Sequence, residues 1–146
     1  MAWKFSENVL VTKVQDATVA GITDVTSDSV DMEGYDGVFF RFTVGAITGS
    51  AVTSVHAEQS ADDSTFADLE DTNITIADDD DNQIFWVEIV DPGDRYVRIV
   101  VDRATQNAVV GEIYADQFGP RDRPCDNVVD DTITGESHVN PDEGTI

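Results

Sequence analysis

The chain has 146 residues, 40% of them hydrophobic, and sets 30 acidic side chains against 8 basic ones for a formal net charge of -22. That length suits one domain with its own core, and Cys125, the only cysteine, rules out an intrachain disulfide. So negative a surface speaks against direct nucleic-acid binding, because phosphates need a positive face, and no apolar run is long enough to cross a bilayer as a helix.

Apolar residues recur with period two along most of the chain, the mark of strands. Met1 to Glu7 contains no apolar signal core, so no secretory leader is expected. Residues 1–8 read as an N-terminal arm in which Trp3 and Phe5 stand outside the strand pattern, free to anchor a partner. Val9 to Val14 reads as the first strand and Ala17 to Ala20 as a short second one. Ser29 to Met32 leads into a turn holding Gly34 and Gly37. Val38, Phe40, Phe42 and Val44 then share one face, with Phe39, Arg41 and Thr43 on the other.

Ala51, Thr53, Val55 and Ala57 alternate with Val52, Ser54, His56 and Glu58. Gln59 to Thr65 is a polar turn, Phe66 to Leu69 an edge segment, and Ile74 to Ile76 a further strand. Asp78 to Asn82 must be an exposed loop. Phe85, Val87 and Ile89 alternate with Ile84, Trp86, Glu88 and Val90. After the turn at Asp91-Pro92-Gly93-Asp94, Val97, Ile99 and Val101 form the next inward row. Val109, Gly111, Ile113 and Ala115 are expected to form the last. The sum is an all-β, antiparallel sandwich of jelly-roll type over residues 9–119. Residues 120–146 are acidic and poor in large apolar groups, and read as a flexible C-terminal arm. Within it, Thr132 to Thr134 is a candidate strand for a neighbouring sheet.

Chemistry-bearing motifs are sparse. His56 and His138 are the only histidines, far apart, and with one cysteine they supply no zinc spacing. Four consecutive acids, Asp78 to Asp81, invite a calcium reading, but the EF-hand pattern is absent and a solvated turn explains them. There is neither a Gly-x-Ser-x-Gly turn nor a phosphate-cradling glycine loop. Asn73-Ile74-Thr75 matches a glycosylation triplet, which is common by chance. No enzymatic activity, cofactor or metal is expected. Arg41 and Arg98 should pair with acids on an outer sheet face. Phe39 and Trp86 fall opposite the inward register and are candidate contact residues, as are Arg121 and Arg123 where the domain gives way to the arm.

Three readings fit the charge. One is salt adaptation, since the Debye length falls to roughly 3 Å in molar salt. The others are a cation-binding surface and an acidic protein kept soluble by its charge.

Several stretches resemble a family of small structural proteins of tailed phages and prophages. They are Asn8 to Lys13, Val30 to Val38, Gly45 to Gly49, Gln59 to Asp63, Arg95 to Arg98 and Thr105 to Val110. The Tyr96-Val97-Arg98 strand followed by Asn107-Ala108-Val109-Val110 is the most specific of these. The resemblance implies a virion component made in the host cytoplasm and carried on the head surface. Its implied role is capsid decoration (cement), with the major capsid protein and further copies of itself, as a trimer, for partners. The excess of acid and scarcity of lysine depart from the family pattern and suggest a virus of a salt-loving host. Two other roles fit the same sequence. One is a neck or tail component of such a virion, and the other a host module that binds carbohydrate or protein.

Overall fold

Strand alternation builds the core directly. In the computed structural model, which describes residues 3–127 and 131–144, Val38, Phe40, Phe42 and Val44 all point inward and are almost fully buried. A short helix α1 (Phe5–Asn8) precedes β1 (Val9–Gln15), β2 (Thr18–Gly21), β3 (Val25–Thr26), β4 (Val30–Asp31) and β5 (Gly37–Ile47). Then come β6 (Val52–Ser60), β7 (Ala67–Asp68), β8 (Ile74–Ile76), β9 (Ile84–Val90), β10 (Tyr96–Ala104) and β11 (Ala108–Phe118).

The strands form two antiparallel sheets packed face to face. One has the order β1-β11-β5-β9, with β2 also pairing β11. The other has the order β3-β10-β6-β7, with β4 on β10 and β8 on β6. Between them lies one core. The first sheet contributes Phe40, Phe42, Val87 and Ile113, the second Val55, Ile76, Ile99 and Val101. The expected all-β sandwich is therefore what the chain forms.

The last strand departs from simple alternation. Val109 and Gly111 do not share a face with Ile113 and Ala115; the buried residues are Ala108, Val110, Ile113 and Ala115. Val110 sits opposite Val44 and Ile113 opposite Phe42, so β11 carries one residue more than β5 over this step. That extra residue is a β-bulge, and it resets the register. Gly111 is needed there because a Cβ would come within 2.4 Å of the Thr43 hydroxyl. The two-residue β3 was not anticipated from sequence, being too short to show a period.

Arg103 stands in the inward row of β10 and is 4% exposed. Instead of a carboxylate, its guanidinium meets backbone: Nε donates to Thr23 O at 2.7 Å, and Nη1 donates to Val19 O at 2.9 Å and Ala108 O at 2.7 Å. Burial pushes its pKa down, opposed by the nearby Asp24 charge. The side chain stitches the β2–β3 connection to the start of β11.

Packing continues past Gly119. Pro120 is buried, and the Cys125 amide donates to Glu7 O at 3.0 Å. Asn127 acts as a side-chain strand against β1. It accepts from Val11 N at 2.9 Å and donates to Val9 O at 2.7 Å and Ser6 O at 2.9 Å. Thr132, Ile133 and Thr134 form no strand; Ile133 lines a cleft with Ser6, Glu7, Val11 and Cys125.

The acidic loops are turn-makers. Asp78 accepts from the Ser50 and Ala51 amides, and Asp80 from the Ala77 amide and Gln83. Asp62 accepts from Thr65 N at 2.9 Å, Ser64 N at 3.0 Å and Ser60 Oγ at 2.9 Å. The two amides, then the hydroxyl, hold its carboxyl far below the ordinary carboxylate range. A carboxyl depressed on folding adds stability above its unfolded pKa near pH 4 and loses it as the pH falls further. Asp62→Ala is accordingly expected to lower the urea midpoint at neutral pH, with the gap to the parent narrowing steadily below about pH 4. An undiminished gap near pH 2 would contradict this linkage.

Candidate interaction surface

The outer face of the β1-β11-β5-β9 sheet gathers aromatic side chains. Phe39 on β5 and Trp86 on β9 lie on the outward register and stack, with ring centroids 5.1 Å apart and planes 19° from parallel. Neither is covered by a second layer; Trp86 is 54% exposed and Phe39 half-buried. Ile84, also exposed, adjoins Trp86 on the same face of β9, while exposed Val90 is set off from it by Glu88, which sits across the ladder from Phe39. β9 is an edge strand, pairing only with β5 among the described strands. An apolar strip on a strand with one open side can meet another surface both through its side chains and through its backbone.

Among the neighbouring charges on this face, Arg41 and Lys13 are paired with acids. Arg41 Nε lies 3.0 Å from Asp116 Oδ2, and its guanidinium sits 4.7 Å from the Tyr114 ring centroid. On β1, Lys13 pairs with Asp16 at 2.6 Å. Arg98, on the other sheet, meets Glu58 Oε2 at 2.6 Å and lies 3.7 Å over the Phe66 ring. Both expected arginine pairings therefore form.

The remaining candidates are dispersed. Trp3 and Phe5 are exposed and pack edge-to-face, with centroids 6.1 Å apart. They precede β1, which lies at the opposite edge of the sheet from β9. Arg121 is exposed, its amide donating to Gly34 O at 2.9 Å, and it lines a shallow cleft with Met32, Tyr35 and Arg95. Arg123 is exposed; its charge pulls down the Cys125 thiol pKa, which burial raises by more. Of the six residues singled out from sequence, the fold brings Phe39 to Trp86 and Trp3 to Phe5 and leaves the two arginines apart from both pairs.

A second cluster escaped sequence reasoning. On the outer face of the other sheet, His56 on β6 stands among three carboxylates. Its Nδ1 lies 2.9 Å from Asp102 Oδ2 on β10. Its Nε2 lies 3.6 Å from Glu58 Oε1 and 3.4 Å from Asp68 Oδ1. Burial opposes its charged form, but the Asp102 hydrogen bond and the three negative charges prevail and raise its pKa. The i, i+2 spacing of His56 and Glu58 on one strand was the available signal; nothing in the sequence placed Asp68 and Asp102 beside them.

No family model matches the chain, and no curated protein matches it. Among solved structures it is similar to the PBSX exported protein XepA, with a TM-score of 0.55 at 12% identity. The match covers 96% of this chain and 46% of XepA, so the chain spans about half of that protein's length. At that identity the likeness is one of fold.

Proposed function

We propose that the chain is a virion structural protein of a tailed virus, and within the virion a capsid decoration protein. The observation that carries this reading is the patch of exposed Trp86 and Ile84 on the edge strand β9, stacked on half-buried Phe39 of β5, in an otherwise strongly acidic protein. Water-exposed apolar strips of this kind mark protein contacts. Three further observations support it. Counting β1 with β2, β3 with β4 and β7 with β8 as single strands leaves eight, which run first-eighth-third-sixth in one sheet and second-seventh-fourth-fifth in the other; we take this as a jelly roll, an architecture used repeatedly in viral shells. The sequence resembles phage structural proteins. The fold resembles that of the PBSX exported protein XepA.

In this role the sheet face seats on the major capsid protein, and the protein acts without catalysis. Each contact is modest, and repetition over a symmetric shell, reinforced by self-association as a trimer, makes the sum tight. Quantitative mass spectrometry of purified particles tests it. Decoration requires hundreds of copies per head; about a dozen would move the protein to the neck or tail, and none would remove it from the virion. The charge of -22 per copy adds a second expectation. In molar salt the screening length is roughly 3 Å, against about 10 Å at 0.1 M, so neighbouring copies repel far more in dilute buffer. Dilution into low salt should strip the protein from particles, whereas retention independent of salt would contradict the assignment.

A further inference from the structure

The His56 cluster has the dimensions of a metal site. His56 and Glu58 project from the same face of β6, and Asp68 lies directly across the ladder from Glu58. Each of the three side chains offers a ligand atom, and these lie within 4.8 Å of one another. The 3.4 and 3.6 Å separations from Nε2 are long for charge-assisted hydrogen bonds, which run about 2.7–2.9 Å. They match the span between two ligands of a tetrahedral ion. With zinc–nitrogen and zinc–oxygen bonds of about 2.0–2.2 Å, adjacent ligands stand about 3.4 Å apart.

The surroundings are arranged as metal sites require. With Nδ1 of His56 donating to Asp102 Oδ2, an ion that displaces the other ring proton meets the Nε2 lone pair directed at Glu58 and Asp68. This is the carboxylate–histidine relay that fixes the ring and raises its basicity. Asp102 is itself held by Ser54 Oγ at 3.1 Å. Glu58 is oriented by Arg98 through Oε2, leaving Oε1 for the ion. His56 and Glu58 are partly buried and supported by packing, while Asp68 on the edge strand β7 is exposed, giving the ion a way in.

We propose that His56, Glu58 and Asp68 bind one divalent transition-metal ion of the zinc type, positioned by Asp102. A fourth coordination position is left for water or for a donor from a partner. Imidazole with two carboxylates suits zinc better than calcium, which takes six to eight oxygens. The site lies on the sheet opposite the aromatic strip and does not depend on the proposed virion role.

Calorimetric titration of the intact protein with zinc chloride in molar sodium chloride tests this, the salt suppressing loose attraction of cations to the acidic surface. Expected is one zinc per chain, undisturbed by excess calcium. Asp68→Ala, at an exposed position, should weaken binding at least tenfold without changing the unfolding midpoint of the metal-free protein. His56→Gln should abolish binding, and His138→Gln should leave it intact. Nitrogen NMR gives a readout independent of affinity: zinc should move the Nε2 resonance of His56 and not that of His138. Zinc bound no better than calcium, affinity unchanged by Asp68→Ala, or an unmoved His56 Nε2 signal would overturn the proposal.

Discussion

Arg103→Met is expected to lower the unfolding free energy by about 2–4 kcal/mol, measured by urea titration in moderate and in molar salt. Methionine fills the space of the arginine stem, so little of the loss comes from packing. What disappears is the set of donors to Thr23 O, Val19 O and Ala108 O. The bond to Ala108 O is buried, and a carbonyl left there without a donor costs about 1–3 kcal/mol, whereas Val19 and Thr23 are exposed residues whose carbonyls can turn to water. Lysine recovers only part of this, because one ammonium cannot reproduce the planar fork that reaches carbonyls on two separate segments. The loss should be the same at both salt concentrations, since the group is shielded from solvent ions. A methionine variant within about 1 kcal/mol of the parent would mean that water or local relaxation replaces those donors.

On the decoration role proposed above, Trp86→Ala is expected to weaken rebinding to stripped particles by about 30-fold or more, in line with loss of roughly 2 kcal/mol at an aromatic hot spot. The fold should survive, because the indole is more than half exposed and lies outside the core. Phe39→Ala should cost less, since that ring is half-buried and acts partly by bracing the indole. The double variant should lose less than the sum of the two, as stacked partners do. Full rebinding by Trp86→Ala, with monomer stability unchanged, would move the contact surface elsewhere, with the Trp3–Phe5 pair next to be tested.

The long strands were legible because alternation is a local property. Val38 to Val44, Val55 to Ala57 and Val97 to Val101 declare their inward rows without reference to any neighbour. The β11 bulge was not legible, since an extra residue is defined only against the partner strand. Arg103 followed the inward period of β10, yet its acceptors come from residues 19 and 23 and across the following turn. The histidine cluster joins residues 46 positions apart in the chain. Its composition was visible, but its convergence depends on which strands become neighbours. Phe39 and Trp86 were placed correctly on an outer face, because a strand's second register follows once the first is assigned.

The two borders of the aromatic sheet are unequal. At β1, the Asn127 amide occupies backbone groups that an incoming strand would need, whereas β9 has no such plug among the described residues. Ribbon-like polymers grow only when every subunit has two open sides. Among the described residues this sheet offers one, so joining through its borders ends at a pair.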